Sequence, residues 1–413
     1  MSLLYSKAAD MLKQVCEGGK GFRDVFYSSE TDRAKGKLYA LVSKTLSLRT
    51  KLEEALATVL PEEKFSNHYF TLAMLCDIVH GREIAGGGSV KRLLEKNKSK
   101  LKKLLKPSVS KISSAVKPRR YFRIPGSMAE VEAKIKEELG LEVNLLQATE
   151  IPDVFELVDS SILPTLLKTP TLKTWLFTEG RVFLQDKSTC MTAHCLLETN
   201  LPNLPIHVLD VCAAPGSKSL HLLSRLRSGD SLTMVEKNAK RAETLKRRLM
   251  ETAGWDGESE TIASSGVKVR VMVADFFTIR VPSATHISLD PSCSGSGLDL
   301  HSNDSATPAR IHKLAELQSG LLRHALDAKS FPKVQTVVYS TCSLNREENQ
   351  DVVQGCNSKA FTVADDYPKF LATFREGSAV KAVPEKHGCR GFFLQKFKRI
   401  PQAKKQIVLA KSK

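Results

Sequence analysis

The sequence has few of the features that hold small secreted or metal-bound proteins together. It contains nine cysteines among 413 residues, an odd number, and no Cys-x-x-Cys pair. A disulfide framework and a zinc or other metal site are therefore not expected, and the thiols are expected to be reduced. There is no leader-like segment and no run of about 18 apolar residues, so we expect an intracellular protein that does not span a membrane.

Negative charge is also in short supply. Lysine and arginine number 62 against 45 aspartate and glutamate residues, which makes the formal net charge +17 at pH 7. Such an excess attracts polyanions, of which nucleic acid is the commonest in cells. Composition alone leaves open both a nucleic-acid-binding protein and one with a merely solvated basic surface. Hydrophobic residues make up 42%, as in globular proteins, and the length predicts two or three domains.

Apolar residues recur at helical spacing over the first part of the chain, as in Leu38, Leu41 and Val42 and again in Leu52 and Leu56. We therefore predict a helical domain over residues 1–106. Its last helix is predicted to be basic and to end at Pro107. We interpret its polar face as a phosphate-contacting surface, although an ordinary solvated face has the same pattern. The basic residues are Lys91, Arg92, Lys96, Lys98, Lys100, Lys102, Lys103 and Lys106, and the run continues through Lys111, Lys117, Arg119 and Arg120.

Three further segments follow. Residues 107–200 are predicted to form a basic linker and a small α+β region, with a helix over 131–139 and a strand over 181–185. In residues 201–399 apolar runs typical of strands alternate with helical ones, which predicts an α/β, doubly wound, mostly parallel sheet of the Rossmann-like class. Such sheets bind ligands at the carboxyl ends of their strands. Residues 400–413 are a basic tail.

The first motif of this α/β segment runs from Asp210 to Lys218, where a strand ends in an acid and a turn of small residues opens a helix. It lacks the spacing of a phosphate loop, and its acid suits the positively charged end of S-adenosyl-L-methionine (AdoMet). Glu236 ends the next strand, where an acid can accept hydrogen bonds from both ribose hydroxyls. Proteins that bind nicotinamide cofactors place an acid in the same position, so Glu236 predicts a ligand that contains a nucleoside but does not identify it as a methyl donor. Asp275 ends a third strand and is interpreted as an adenine contact, with a helix cap as the alternative.

The second motif is a pair of cysteines, each placed just after a strand. Cys293 follows Asp290-Pro-Ser, and Cys342 follows Ser340-Thr. In a doubly wound sheet the two thiols are expected to be neighbours in space. A thiolate that adds to carbon 6 of cytosine makes carbon 5 nucleophilic enough to accept a methyl group, and a base must later remove the carbon-5 proton. Both thiols are expected to have a lowered pKa, with Lys218 nearby.

These motifs resemble those of the NSUN (Nop/Sun) family of RNA cytosine-5 methyltransferases. The cofactor motif is similar over Asp210–Lys218, the proline–cysteine motif around Cys293 and the threonine–cysteine motif around Cys342, and Gly391-Phe-Phe matches a further family stretch. The resemblance extends from about residue 119 to 399. It implies a class I methyltransferase domain that binds AdoMet, preceded by an RNA-facing α+β region.

The resemblance also implies roles for single residues. Cys342 is the nucleophile, Cys293 assists release of the methylated base, and Asp290 and Lys218 contact the cytosine or the sulfonium end of the cofactor. The residues implied to hold AdoMet are Cys212, Ala213, Ala214, Pro215, Gly216, Ser217, Lys218, Glu236, Arg241, Asp275 and Asp290. Ser217 stands where the family has a second glycine and Glu236 where it has aspartate. Arg123–Ser127 departs from the family's RNA-side segment, which puts its contacts in doubt.

The N-terminal segment resembles the fifth NSUN subgroup, as does the Pro-Ser-Cys sequence ending at Cys293. That resemblance implies large-subunit ribosomal RNA as the substrate, a role in ribosome biogenesis and a nuclear, nucleolar location. We expect a monomer. Three alternatives stay open: an RNA-binding ribosome-assembly factor that retains the cofactor pocket, methylation of another RNA such as tRNA, and a DNA cytosine methyltransferase with Cys293 as the attacking thiol.

Overall fold

A computed structural model describes residues 3–18, 22, 25–26, 35–82, 84, 86, 88–113, 119–142, 144–197, 204–262, 264–298 and 307–401. These residues form two compact units. The first holds the described residues up to 113 with 307–310, and the second holds residues 119–298 and 311–401. Three predictions lie outside the described residues: Lys117, the domain boundary at residue 200 and the basic tail beyond residue 401. Among the described residues no helix is long and apolar enough to cross a membrane.

The first unit is helical, as its apolar spacing predicts. Its central helix is fully buried from Tyr69 to Ile78, and Asn67 caps that helix by accepting a hydrogen bond from the Phe70 N–H at 3.0 Å. Tyr5 of the first helix donates to the carboxylate of Asp77 at 2.9 Å, which joins the two helices inside the core. The helices are α1 Leu3–Cys16, α2 Lys35–Ser47, α3 Arg49–Val59, α4 His68–Val79, α5 Gly88–Lys96 and α6 Lys98–Ser113.

The basic stretch forms the two helices α5 and α6. Leu94, Leu101 and Leu105 are buried in the core of the unit, whereas the alternating lysines point outward. The exposed ones are Lys96, Lys98, Lys100 and Lys103. The prediction that Pro107 ends the helix is wrong, because α6 continues to Ser113. Proline has a helical φ, and its cost in a helix is mainly the lost backbone hydrogen bond and the crowding of the preceding turn.

The second unit begins with a small antiparallel sheet in the order β2-β3-β1-β4. Its strands are β1 Arg120–Arg123, β2 Leu146–Ala148, β3 Val154–Leu157 and β4 Phe183–Leu184. Helix α7, Met128–Leu139, buries Val131 and Ile135 in the hydrophobic core of this small sheet. It begins three residues before the predicted helix because Ser127 caps it. The strand predicted over 181–185 is only the two-residue β4. The remaining helical segments here are Ser160–Ile162 (3₁₀), α8 Leu163–Lys168, α9 Pro170–Leu172, Lys173–Thr178 (π) and α10 Lys187–Leu196.

The rest of the second unit contains the large sheet, in the order β12-β13-β14-β10-β9-β5-β6-β8-β7, with β11 paired to β14. Its five central strands are parallel and the outer ones antiparallel. This confirms the predicted α/β, doubly wound sheet. The strands are β5 His207–Val211, β6 Ser231–Glu236, β7 Thr261–Ile262, β8 Val267–Val273, β9 His286–Leu289, β10 Thr336–Thr341, β11 Phe361–Ala364, β12 Arg375–Glu376, β13 Ala379–Ala382 and β14 Phe392–Arg399.

Both faces of this sheet are covered by apolar side chains. One core gathers Val208, Leu220 and Leu245, and the other gathers Leu209, Leu322 and further residues. Since neighbouring residues of a strand point to opposite faces, Val208 and Leu209 lie in different cores. The helices between and after the strands of the large sheet are α11 Ser217–Leu223, α12 Ala239–Ala253, α13 Pro308–Ala325, α14 Gln350–Gln354 and α15 Pro384–His387. Two 3₁₀ turns lie at Phe276–Thr278 and Lys369–Phe374.

A buried polar cluster links the small sheet to the helices of the large one. Asp153, just before β3, lies 2.7 Å from Nε2 of His194 on α10 and 2.8 Å from Nε2 of His221 on α11. Burial raises the pKa of Asp153, but the two imidazoles outweigh burial and hold it well below its ordinary value. Burial lowers the pKa of His221 to about 3, so this imidazole is neutral. These three side chains also offer metal-ligand atoms within 4.8 Å of one another; His194 forms a hydrogen bond with Asp153, whereas neither nitrogen of His221 has a hydrogen-bond partner among the described residues.

Asp153→Ala should lower the free energy of unfolding by about 3 kcal/mol, since it removes a charged acceptor that forms a hydrogen bond with the buried His194 and lies 2.8 Å from His221. Urea unfolding at neutral pH measures this loss. The control is Asp365→Ala, which removes a 73% exposed carboxylate paired with Arg375 and should cost less than about 1 kcal/mol. Equal losses in the two variants would show that the cluster does not join these elements.

Candidate active site at the carboxyl edge of the large sheet

Three parallel strands place the two sequence motifs at one edge of the sheet. β5 pairs with β9, Val211 opposite Leu289, and β9 pairs with β10, Leu289 opposite Tyr339. The chain runs from β5 outward to β6 and β8 and then returns to β9 on the other side. The strand order therefore reverses between β5 and β9, and open α/β sheets bind ligands at the carboxyl ends of strands at such a point.

The turn after β5 is tightly constrained. Gly216 has φ +101°, and a Cβ added there would lie 2.6 Å from Cδ1 of Leu245, so the position requires glycine. Cys212 also has a positive φ, of 60°. From α12, Arg241 donates to the Ala214 carbonyl at 2.6 Å, and Arg248 donates to the Ser217 hydroxyl at 3.0 Å. The turn thus presents backbone to a ligand in a conformation that a neighbouring helix holds.

Glu236 ends β6 with a buried carboxylate. Its Oε1 accepts a hydrogen bond from the Asn238 N–H at 2.9 Å. Its Oε2 lies 3.6 Å from Arg241 and has no hydrogen-bond partner within the described part of the chain. Because a buried acceptor without a donor is costly, this oxygen fits a ligand that brings hydroxyl groups. The ribose of a nucleoside cofactor has that chemistry.

Asp275 caps the 3₁₀ turn that follows β8, which is the alternative role that the sequence predicts for it. Its Oδ1 accepts from the Phe277 N–H at 3.1 Å and its Oδ2 from Lys237 at 2.7 Å. The hydrogen bond from Lys237 is the largest cause of a lowered pKa at this carboxyl. A contact between Asp275 and adenine stays a prediction.

Lys218 and Asp290 form an ion pair at the centre of the edge. The Lys218 ammonium donates to Asp290 Oδ2 at 2.7 Å, and the Ser340 hydroxyl donates to Oδ1 at 3.0 Å. Burial lowers the pKa of Lys218, but the adjacent Asp290 carboxylate outweighs it and the net pKa is raised. The ammonium is therefore charged, and it lies 5.4 Å from the centre of the Phe392 ring.

The two predicted thiols are in contact, which confirms that Cys293 and Cys342 are neighbours in space. Their sulfur atoms lie 3.0 Å apart. The hydrogen bond to Cys342 is the first cause, and burial the second, of a Cys293 pKa well above the ordinary value. The expectation of a lowered pKa is thus wrong for Cys293, because its nearest neighbour is a second thiol and not Lys218.

Sequence reasoning did not single out Glu348. This side chain is fully buried behind the two cysteine loops, where it accepts hydrogen bonds from both. Its neighbour Glu347 is exposed. Two consecutive glutamates in a loop give no periodic signal that would show which one enters the core. Gly391, just before β14, donates to the Gly297 carbonyl at 2.7 Å, so the Gly391-Phe-Phe stretch noted in the sequence lies against the Cys293 loop.

Asp210, beneath the turn, is a buried carboxyl whose Oδ2 accepts from Ser219 at 2.6 Å. Burial raises its pKa from 3.8 to about 6. A carboxyl with a raised pKa in the folded state binds its proton more tightly there than in the unfolded chain. Its stabilising contribution is therefore complete below about pH 4 and is lost as the pH rises through about 6.

Asp210→Asn should consequently become more stable relative to the wild type as the pH rises. The gain in the free energy of unfolding, variant minus wild type, should be about 2 kcal/mol between about pH 4 and pH 7. Guanidinium titrations at a series of pH values measure it. Glu251→Gln, an exposed carboxylate on α12, should show no such trend, and a pH-independent difference for Asp210→Asn would contradict the buried ionisation.

Comparisons with known proteins agree with this geometry. Residues 200–398 match the family model described as 16S rRNA methyltransferase RsmB/F, and residues 36–117 match that of the NOL1/NOP2/Sun domain family member 5, N-terminal domain. The sequence is 29% identical to a 28S rRNA (cytosine-C(5))-methyltransferase of Mus musculus over 96% of this chain and 91% of the mouse protein. It is 30% identical to the 25S rRNA (cytosine-C(5))-methyltransferase NSUN5 of Arabidopsis thaliana over 96% of this chain and 73% of the plant protein.

The fold is likewise that of a solved structure. The crystal structure of PH0851 superposes with a TM-score of 0.62 at 16% identity and covers 96% of this chain and 99% of its own. The two family models match separate parts of the chain, and the plant protein matches across 96% of it. The chain belongs to the NSUN (NOL1/NOP2/Sun) methyltransferase family and, within it, groups with member 5.

Proposed function

We propose that this chain transfers a methyl group from AdoMet to carbon 5 of a cytosine in large-subunit ribosomal RNA, with Cys342 as the nucleophile. The observation that carries the proposal is the 3.0 Å contact between Cys293 and Cys342 beside the Lys218–Asp290 pair. The mouse and plant relatives, which this chain matches over 96% of its length, are named as ribosomal RNA cytosine-C5 methyltransferases. Methylation of tRNA by the same chemistry is the second candidate substrate.

The residues at the β5–β6 edge fit AdoMet. No donor among the described residues reaches Oε2 of Glu236, so this oxygen suits the ribose hydroxyls, and the Gly216 turn allows close approach of backbone. We propose that the turn from Cys212 to Lys218, with Glu236 and Arg241, holds the cofactor, and that Asp275 and Asp290 border it. When bound there, AdoMet supplies an electrophilic methyl group.

The thiol pair divides the chemistry on the base. Cys342 forms a bond to carbon 6 of the cytosine, which makes carbon 5 a nucleophile for the methyl group. Asp290, held by Lys218 and Ser340, lies where it can contact the base and stabilise the charge that develops on it. Removal of the carbon-5 proton then allows the Cys342–carbon 6 bond to break, with its electron pair returning to sulfur.

Cys293 is suited to that second proton transfer. Its pKa is raised first by Cys342. Once Cys342 is bonded to cytosine it no longer shares a proton with Cys293, so the main cause of the raised pKa is gone. Cys293 can then lose its proton and act as the base that releases the product.

The substrate RNA is proposed to use the basic residues of the first unit. Helices α5 and α6 expose lysines on one face and bury leucines on the other, so the positive face has no role in the core. Large-subunit ribosomal RNA as substrate places the protein in ribosome biogenesis and, in a eukaryotic cell, in the nucleolus. We propose that the protein acts as a monomer.

The thiol roles are tested by mixing protein, large-subunit ribosomal RNA and AdoMet and separating the products on a denaturing gel. Cys293→Ala should accumulate a protein–RNA adduct, because Cys342 attacks but the product is released slowly. Cys342→Ala and the double variant should form none. Omission of AdoMet should remove the adduct of Cys293→Ala, and Cys356→Ala, a buried thiol outside the site, should behave as the wild type.

The other outcomes separate the alternatives. An adduct that appears only in Cys342→Ala would make Cys293 the nucleophile, as in DNA cytosine methyltransferases. An adduct with tRNA and none with ribosomal RNA would change the substrate. If methyl transfer fails with every RNA while RNA binding persists, the protein is an assembly factor with a retained cofactor pocket.

The basic surface is tested by the salt dependence of RNA binding. Four exposed lysines of α5 and α6 are changed to glutamine, namely Lys96, Lys98, Lys100 and Lys103. The slope of log K against log salt should become shallower by about 3, since each lost phosphate contact removes about 0.7 on single-stranded RNA. The control changes four exposed lysines of the second unit, Lys329, Lys333, Lys359 and Lys369. An equal change of slope in both would mean that only net charge matters.

A further inference from the structure

The two thiols lie in loops that follow the paired strands β9 and β10. Cys293 follows β9 and precedes Gly297, and Cys342 follows β10 directly. The Gly297 N–H donates to the Cys342 carbonyl at 3.0 Å, which is the backbone link between the loops. One backbone hydrogen bond contributes only about 1 kcal/mol. Pairing of β9 with β10 brings the loops side by side, and side-chain hydrogen bonds beyond the strand ends connect one loop to the other.

Glu348 supplies those side-chain links. Its Oε1 accepts from the Ser294 N–H of the Cys293 loop at 2.8 Å. Its Oε2 accepts from the Ser343 hydroxyl at 2.6 Å and from the Asn345 amide at 3.0 Å, both in the Cys342 loop. Gln318 of α13 donates to the same Oε1 at 3.1 Å and to the Ser292 carbonyl at 2.9 Å. Each carboxylate oxygen thus accepts two hydrogen bonds, as the acceptor-only ionised form can.

The neighbouring polar groups repeat the connection. Asn345 also donates to the Ser294 hydroxyl at 3.0 Å, and the Ser294 and Ser343 hydroxyls lie 3.1 Å apart. Tyr339 of β10 donates to the Glu348 carbonyl at 2.6 Å, which fixes the backbone of Glu348 itself. Glu348 is completely buried. Four hydrogen bonds hold this carboxylate, and no cation of the described residues forms an ion pair with it. Such a buried group contributes more to the geometry of the loops than to stability.

We propose that Glu348 is a positioning residue for the thiol pair: its buried carboxylate joins the Cys293 loop to the Cys342 loop and holds the two sulfur atoms in contact. The catalytic meaning of this inference rests on the proposed function. The structural part does not, because it concerns two thiols in the protein alone. Contact with Cys342 is the largest cause of the raised pKa of Cys293, and the carboxylates of Glu348 and Asp290 raise it further, so that this thiol stays protonated.

The test compares Glu348→Gln with Glu347→Gln, its exposed neighbour. The glutamine has the shape of glutamate, but its amide places a donor where an oxygen accepts two hydrogen bonds. Without RNA or AdoMet, the alkylation rates of Cys293 and Cys342 by iodoacetamide are followed against pH by peptide mass spectrometry. In Glu348→Gln the midpoint of Cys293 should fall by about one pH unit or more. In Glu347→Gln it should equal that of the wild type.

Methyl transfer gives the second readout. Glu348→Gln should lower kcat by about tenfold or more while the KM for AdoMet changes less than about threefold, since the cofactor side of the site is untouched. Glu348→Asp keeps the charge on a shorter side chain and should recover most of the Cys293 midpoint and part of kcat. If the Glu348 variants do not fold, Asn345→Ala, which removes one donor and the link to Ser294, should shift the same midpoint in the same direction by a smaller amount.

The possible outcomes distinguish the positioning role of Glu348 from the proposed methyltransferase function. The positioning role would be overturned if folded Glu348→Gln kept the wild-type midpoint for alkylation of Cys293 and lost kcat only in proportion to its loss of stability. If the wild type methylates no RNA but the midpoint shifts as expected, the proposed function fails and the role of Glu348 in the thiol pair stands.

Discussion

Parallel pairing of β5, β9 and β10 is the constraint on which the site depends. Parallel strands bring their carboxyl ends to the same edge, so segments far apart in sequence meet there. The register that sets Val211 opposite Leu289 and Leu289 opposite Tyr339 determines which residues emerge together. Because these strands are buried between two apolar cores, a slip of one residue would exchange the faces of the sheet and is strongly disfavoured.

The edge of the sheet is built from charges and thiols that would be costly to bury singly. Lys218 and Asp290 neutralise each other, and Asp290 is also held by Ser340. Cys293 keeps its proton because Cys342 and burial both act on it. Removal of one member of such a set leaves an uncompensated group, which is why buried polar networks couple so strongly. The chemistry and the stability of this edge are therefore parts of one network.

Much of the architecture could be predicted because it depends on local patterns. Alternating apolar runs predict the doubly wound sheet, and helical spacing predicts the helices of the first unit; both are confirmed. The prediction that Pro107 ends the helix is wrong because proline disfavours the interior of a helix but can be accommodated there, and α6 continues past it. The lowered thiol pKa expected for both cysteines is wrong for Cys293, since a pKa depends on neighbours that only the fold supplies. Glu348 carried no sequence signal at all.

The sequence by itself determined the chemistry available at the edge: a strand that ends near Asp210, an acid at Glu236, and two cysteines each placed after a strand. Residue type and spacing along one chain are enough for that, because strand, turn and helix are short-range patterns. Only the tertiary structure decided that Cys293 touches Cys342 and that Glu348 lies behind both. Distances between loops are set by strand register and side-chain packing across the whole sheet, which no local pattern contains.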